Sequence, residues 1–261
     1  MRITVLSKPV PDPASGAVRL GPDLRLDRAA APAVVNGNDE YALEAALRLV
    51  EAAGEGEVTL LAMSPANGTD ALRKGLAMGA TRAVLVSDPA LAGSDWLATA
   101  RVLAAALAGL ESDLVLAGAD TSDGGAGVVG PAVAALARLP YLSYAATIEP
   151  IDGGVRVHRL TATGHEVLES PMPALIACTQ ALGAPRYPSL KGIMAARSKE
   201  IATRSLADLG LDGSSVGSAA AGSRVLDARP PEARPAPRVV REPAPEAARE
   251  IVELLAARRL I

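Results

Sequence analysis

Asp39-Glu-Tyr-Ala-Leu-Glu-Ala-Ala-Leu-Arg-Leu-Val-Glu-Ala-Ala-Gly54 and the fifty residues around it decide the fold of this chain. Leu43, Ala46, Leu47 and Val50 recur at i, i+3, i+4 and i+7, one buried stripe of a helix. Glu44 and Arg48 form an i,i+4 pair expected on the opposite, solvent side, and Gly54 stops the helix. The run Val58–Met63 then reads as a buried strand, Thr69–Met78 as a second helix and Ala83–Ser87 as another strand. Strand and helix alternating at this spacing predict a mostly parallel sheet covered by helices on both faces.

The same rhythm extends outward. Ile3–Ser7 and Asp113–Gly118 read as strands, and Asp95–Leu110 as a third helix, apolar nearly all round and expected to sit deep. After Pro140 the pattern changes to Tyr141–Ile148, Gly154–Leu160 and Glu166–Glu169, with Asp152-Gly153-Gly154 as a hairpin turn. Pro173–Thr179 returns to a continuous apolar run. The expected fold class is therefore α/β: a mostly parallel, doubly wound, Rossmann-like sheet of the adenine-nucleotide-hydrolase-like kind, with an appended strand pair and an extended C-terminal arm. Residues 1–200 are read as a nucleotide-binding α/β domain and 201–261 as that arm. Beyond about residue 225, Pro230, Pro231, Pro235, Pro237, Pro243 and Pro245 punctuate a tether that ends in a helix from about Pro245 to Arg258. Ile251, Leu254 and Leu255 give that helix one apolar face, which needs a surface to cover.

Composition limits the chemistry. Of 261 residues 49% are apolar, yet there is no Phe and one Trp, so the core must be aliphatic. A net charge of -3 supplies no basic field for nucleic acid or an anionic membrane. The single cysteine, Cys178, lies in an apolar run and reads as a small buried hydrophobe. His158 and His165 are the only histidines, and both fall in the hairpin region as bystanders. No HExxH, Gly-x-Ser-x-Gly or Walker A pattern appears, so an enzyme that shuttles protons through side chains would be poorly equipped here. Met1-Arg2 leads straight into a strand pattern, and no apolar run is long enough to span a bilayer. The expectation is a soluble, cytoplasmic bacterial protein.

Binding is better provided for. The strand Asp113–Gly118 leads into Ala119-Asp-Thr-Ser-Asp-Gly-Gly-Ala-Gly-Val-Val-Gly130. A strand, a Gly-rich loop and a helix start present free backbone N–H groups to an anionic phosphate. Thr121 and Ser122 add hydroxyls. Gly125-x-Gly127-x-x-Gly130 matches a dinucleotide fingerprint only formally, because six residues separate it from Gly118 at the end of the strand. Neighbouring strand ends bring Ser7-Lys8, Asn36-Gly37-Asn38-Asp39 and Ser64-Pro65 toward the same crevice, although Asn38 equally suits a helix cap.

A second stretch, Pro185-Arg-Tyr-Pro-Ser-Leu-Lys-Gly-Ile-Met-Ala-Ala-Arg-Ser-Lys199, reads as an ordered loop with Leu190, Ile193 and Met194 among four cations. On composition alone it is either a docking tip for an acidic partner or an apolar loop folded back on the core.

Along nearly its whole length the chain resembles the β subunit of electron-transfer flavoprotein. The resemblance is carried by Ile3–Lys8, Asp39–Leu49, Leu72-Arg-Lys-Gly-Leu-Ala-Met-Gly-Ala80, Asp113–Gly130 and Pro185–Met194. The Leu72–Ala80 helix and the Pro185–Met194 loop are the specific pair. Val129-Gly130-Pro131 after Thr121-Ser-Asp-Gly124 is similar to actinobacterial members.

The resemblance implies a heterodimer whose α subunit holds most of an FAD, while this subunit binds AMP and docks acyl-CoA and other dehydrogenases. Electrons would leave to a quinone-linked oxidoreductase, as in fatty acid β-oxidation, with no catalytic side chain involved. The implied nucleotide site comprises Leu6, Asn36, Asn38, Asp39, Met63, Gly118, Thr121, Ser122, Asp123, Gly124, Gly125, Ala126, Gly127, Val128 and Val129. The implied docking residues are Arg186, Tyr187, Leu190, Ile193 and Met194, with the terminal helix docking on the α subunit.

Ala119, Asp120 and Gly124–Val129 depart from the Lys-Gln and Asn-Gln-Thr elements of many members, so a phosphate grip here would be mainly backbone. Pro13 and Asn38 replace aromatic residues that often approach the flavin ring in the family. A bifurcating relative with FAD in this crevice is the alternative within the family. Outside it stand a universal-stress-type nucleotide-binding protein and an NAD-dependent enzyme.

Overall fold

The computed structural model describes all residues except 230, 231, 233–235 and 238. Its strands and helices in chain order are β1 (Arg2–Leu6), β2 (Pro9–Pro11), β3 (Ala33–Val35), α1 (Gly37–Ala53), β4 (Glu57–Met63), α2 (Thr69–Met78) and β5 (Arg82–Val86). Then come α3 (Trp96–Ala108), β6 (Leu114–Gly118), α4 (Val129–Ala137), β7 (Tyr141–Ile151), β8 (Gly154–Thr161), β9 (Gly164–Pro171) and β10 (Ala174–Cys178). The chain closes with α5 (Leu190–Ala196), β11 (Ile201–Arg204), α6 (Gly217–Ala220) and α7 (Ala244–Ala257).

One nine-stranded sheet runs in the order β11-β5-β4-β1-β6-β10-β7-β8-β9. From β11 to β7 every pairing is parallel, and β8 and β9 continue antiparallel as the appended pair. Side chains alternate along each central strand, and the two faces bury separate cores. Ile3, Val5, Leu60, Leu116 and Ile176 pack with α1 and α2, while Leu61, Val84, Val115 and Leu175 pack with α3 and α4. Both cores are aliphatic, and Cys178 is buried among Ala and Leu, where burial pushes its thiol pKa up.

Three readings need adjustment. The third helix covers one sheet face and does not sit deep: Trp96 is 42% exposed and Arg101 and Ala108 face water. Alanine is small enough to lie on either side of a helix, so composition alone misjudged it. Glu44 points inward and not to solvent, for reasons that belong to the site. The Pro185–Lys199 loop contains a helical turn, α5.

The first compact unit extends from Met1 to Leu226, because β11 pairs with β5 as an edge strand and α6 packs near α3. The division expected at residue 200 thus falls inside it. The second unit is Asp227–Ile261 and contains α7, whose Ile251, Val252 and Leu254 are exposed. The expected Pro230, Pro231 and Pro235 breaks lie outside the described residues. Among the described residues no helix is long and apolar enough to cross a membrane.

Candidate functional site

From β1 the chain builds outward through β4 to β5, then returns to the other side of β1 with β6. That reversal opens a crevice at the carboxyl ends of β1 and β6, the usual ligand position in an open α/β sheet. Leu6 ends β1, Gly118 ends β6, and Asn36–Asp39 starts α1 between them. Met63 ends the neighbouring β4.

Main-chain N–H groups of Lys8 and Gly118 donate to the two oxygens of Asp39, at 2.7 and 3.2 Å. Asp39 thus staples β1, β6 and α1 together. Burial raises its pKa to about 7, against the pull of these donors and of the Asn36 side chain. Gly118 permits the approach: a Cβ there would stand 2.4 Å from Asp39 Oδ1 and 2.7 Å from the Asn38 carbonyl carbon.

The Gly-rich loop is held from outside by polar groups. Asn36 and Asn38 both donate through Nδ2 to the Asp120 carbonyl oxygen, at 2.8 and 3.1 Å. Ser122 N donates back to Asn36 Oδ1 at 3.1 Å. Asn38 is therefore a loop contact and does not cap α1. Asp120 Oδ1 accepts from Thr121 N and Gly127 N, which closes the loop on itself.

Asp123 is 5% exposed and takes Lys8 Nζ at 2.7 Å and Arg28 Nη2 at 2.8 Å. Burial pushes its carboxyl up, but the two cations outweigh burial and hold it below the ordinary range. Thr121 Oγ1 lies 3.4 Å from the same Lys8 Nζ.

Beyond Asp123 the loop opens to solvent. Gly124, Gly125, Ala126, Gly127 and Val128 are exposed, and Gly125 and Gly127 have φ of 57° and 62°. No side chain caps α4, which starts at Val129. Exposed main chain next to an uncapped helix start can receive an anion through N–H groups alone. A separate groove of about 630 Å³ between α3 and α4, lined by Leu107, Leu136 and Pro173, contains none of these residues.

The Pro185–Lys199 segment lies on α1 and α2. Arg186 reaches Glu44 through N, Nε and Nη2 at 3.0, 2.8 and 3.2 Å, and Glu51 through Nη1 and Nη2 at 2.5 and 3.0 Å. Burial pushes the Glu44 carboxyl up, yet hydrogen bonds from Arg186 and Arg48 hold it below its usual range. Bonding to Arg186 does the same to Glu51. Tyr187 is 94% and Leu190 78% exposed, and Ile193 and Met194 are also exposed.

The sequence-based residue set thus separates into a crevice group and this tip group. Arg28, which reaches Asp123 from the excursion between β2 and β3, was missed. It sits in an unpatterned stretch, and only the fold brings it 95 positions forward in sequence.

The model of the Electron transfer flavoprotein domain matches residues 23–209. The chain is 38% identical over 264 residues, 99% of each chain, to the electron transfer flavoprotein subunit beta of Mycobacterium leprae. It is 35% identical over the full length of both chains to the subunit of that name from Thermoanaerobacterium thermosaccharolyticum.

This chain belongs to the electron transfer flavoprotein family.

A further relative, 34% identical over 90% of this chain and 89% of its own, is the caffeyl-CoA reductase-Etf complex subunit CarD of Acetobacterium woodii. The family is one of electron-transfer subunits, a carrier role. Family membership along the whole chain displaces the universal-stress-type and NAD-dependent readings.

Proposed function

We propose that the chain is the β subunit of a heterodimeric electron carrier that takes electrons from acyl-CoA or related dehydrogenases and delivers them to a quinone-linked oxidoreductase in the cytoplasm. FAD, held mostly by the α subunit, supplies the electron-accepting ring. This chain supplies an adenine-nucleotide crevice and a docking tip, and α7 lies on the α subunit.

The observation that carries the reading is the division of the site. One group of residues offers main-chain N–H groups around glycines, and the other offers apolar side chains on an anchored loop. AMP would sit in the crevice: Gly118 lets Asp39 and the Asn38 main chain close in at the end of β6, and Gly124–Val129 with the α4 start would hold the phosphate. Lys8 and Arg28 are already engaged by Asp123, so they brace the loop and leave the phosphate to main chain. Tyr187, Leu190, Ile193 and Met194 would meet the dehydrogenase.

Nucleotides released by denaturing the co-expressed heterodimer provide the test. One FAD and one AMP per heterodimer is the expected result by chromatography. Two FAD would indicate the bifurcating type, and the absence of any adenine nucleotide beyond the α-bound FAD would overturn the crevice reading.

A further inference from the structure

The docking loop is tied down at both ends, and each tie is a cation reaching an oxygen. At the near end Arg48 donates to the carbonyl oxygens of Leu182 and Ala184, at 3.3 and 3.2 Å. Arg186 bonds to Glu44 and Glu51, which lie two turns apart on α1. At the far end Arg73 of α2 donates to the carbonyl oxygens of Ala196 and Lys199, and Lys199 Nζ reaches the Ala80 carbonyl oxygen. Between the ties α5 lies so close to α2 that a Cβ on Gly192 would come 2.2 Å from the Ala77 carbonyl oxygen. Ser189 Oγ accepts from Gly192 N at 3.0 Å and caps the turn.

A seven-residue helix cannot hold itself together in water. Its order must come from these ties. Of the four cations around the tip, Arg186 and Lys199 are spent inside the molecule, and Lys191 and Arg197 form no ion pair among the described residues. Arg186 already has two carboxylates and so has little charge left to offer an acidic partner.

We infer that Arg186 is a positioning residue for partner recognition: acting through Glu44 and Glu51, it holds the Tyr187–Met194 tip in its docking conformation and does not itself contact the dehydrogenase. The inference rests on the docking role given to the tip above. A loop that must be ordered on binding loses affinity, whereas electron transfer inside the formed complex is unaffected. Loosening the tie should therefore raise the half-saturating concentration and spare the limiting rate. The planar fork of arginine spans two carboxylates, which a lysine ammonium cannot do.

The test uses the flavin-loaded heterodimer, an acyl-CoA dehydrogenase with its acyl-CoA as the probe, and amide exchange of residues 187–196. Arg186→Gln should raise half-saturation five- to tenfold, leave the limiting rate within twofold, and speed exchange in the tip at least tenfold. Arg186→Lys and Glu51→Gln should do the same to a lesser degree, and they carry the comparison if Arg186→Gln does not assemble. Leu190→Ala should raise half-saturation with exchange unchanged.

Weaker docking by Arg186→Gln without faster exchange would make Arg186 a direct contact and overturn the proposal. Faster exchange with unchanged half-saturation would overturn it equally. If Leu190→Ala leaves half-saturation unchanged, the docking reading itself fails, whatever the Arg186 variants do.

Discussion

The Gly-rich loop after β6 and the Pro185–Lys199 loop after β10 solve opposite problems on neighbouring strands. The first is pinned early by Asn36, Asn38, Lys8 and Arg28, and beyond Asp123 it shows bare main chain. The second is pinned at its ends and shows side chains, with Leu190 78% exposed. A small anionic ligand is best met by N–H groups that no side chain obstructs; a protein surface is best met by apolar groups that stand clear. Helix α1 serves both loops. Its first turn carries the crevice anchors Asn38 and Asp39, its middle carries Glu44 and its last turn Glu51.

The largest disturbance should come from closing the crevice. In Gly118→Val the side chain enters the space of Asp39 and the Asn38 main chain, at a cost of about 3 kcal/mol. Bound nucleotide should be lost while exchange protection of Leu190–Ala196 persists. Protection lost in both places would show that α1 transmits strain and that the two regions are not independent.

A smaller effect separates the two ends of α1 by pH. Folded Asp39 keeps a proton up to about pH 7 that the unfolded chain releases near pH 4, so its contribution to stability falls as pH rises through that interval. Glu44, Glu51 and Asp123 have depressed values, and their contribution is complete above about pH 5 and is lost on acidification. The thermal midpoint should fall by about 5 °C between pH 5 and 8, and Asp39→Asn should flatten that decline. A wild-type profile already flat over the interval would rule out a protonated Asp39.

The smallest expected effect is at Gly125, where φ is 57° and no atom stands near a new Cβ. Gly125→Ala should cost about 1 kcal/mol of backbone strain and weaken AMP a few-fold, read by calorimetry. Partner docking should be unchanged.

Much of the frame was legible because local rules suffice for it. The 3.6-residue stripe of Leu43, Ala46, Leu47 and Val50 and the stop at Gly54 fix α1, and Thr69–Met78 is α2 to the residue. The continuous apolar run at Ala174–Cys178 is the buried parallel strand β10. What local spacing does not contain is pairing at long range. Glu44 looks like half of a surface i,i+4 pair until Arg186 arrives from 142 positions away. Ile201–Arg204 is four residues with no apolar run, and it becomes a strand only because β5 offers a free edge. Arg28 has no motif at all. The crevice was traced from glycines and strand ends, whereas its charge balance depended on contacts that only folding creates.

The ties at the two ends of the Pro185–Lys199 loop have a consequence for how partner choice would change under the proposed docking role. Among the described residues, the side-chain hydrogen bonds that shape the loop are made by Arg48, Arg73, Arg186, Ser189, Ser198 and Lys199, and none by the apolar side chains at its tip. Under that proposed role, specificity is uncoupled from folding. Tyr187, Leu190, Ile193 and Met194 can drift or be transplanted between relatives as a cassette, with the frame left to hold whatever tip it is given.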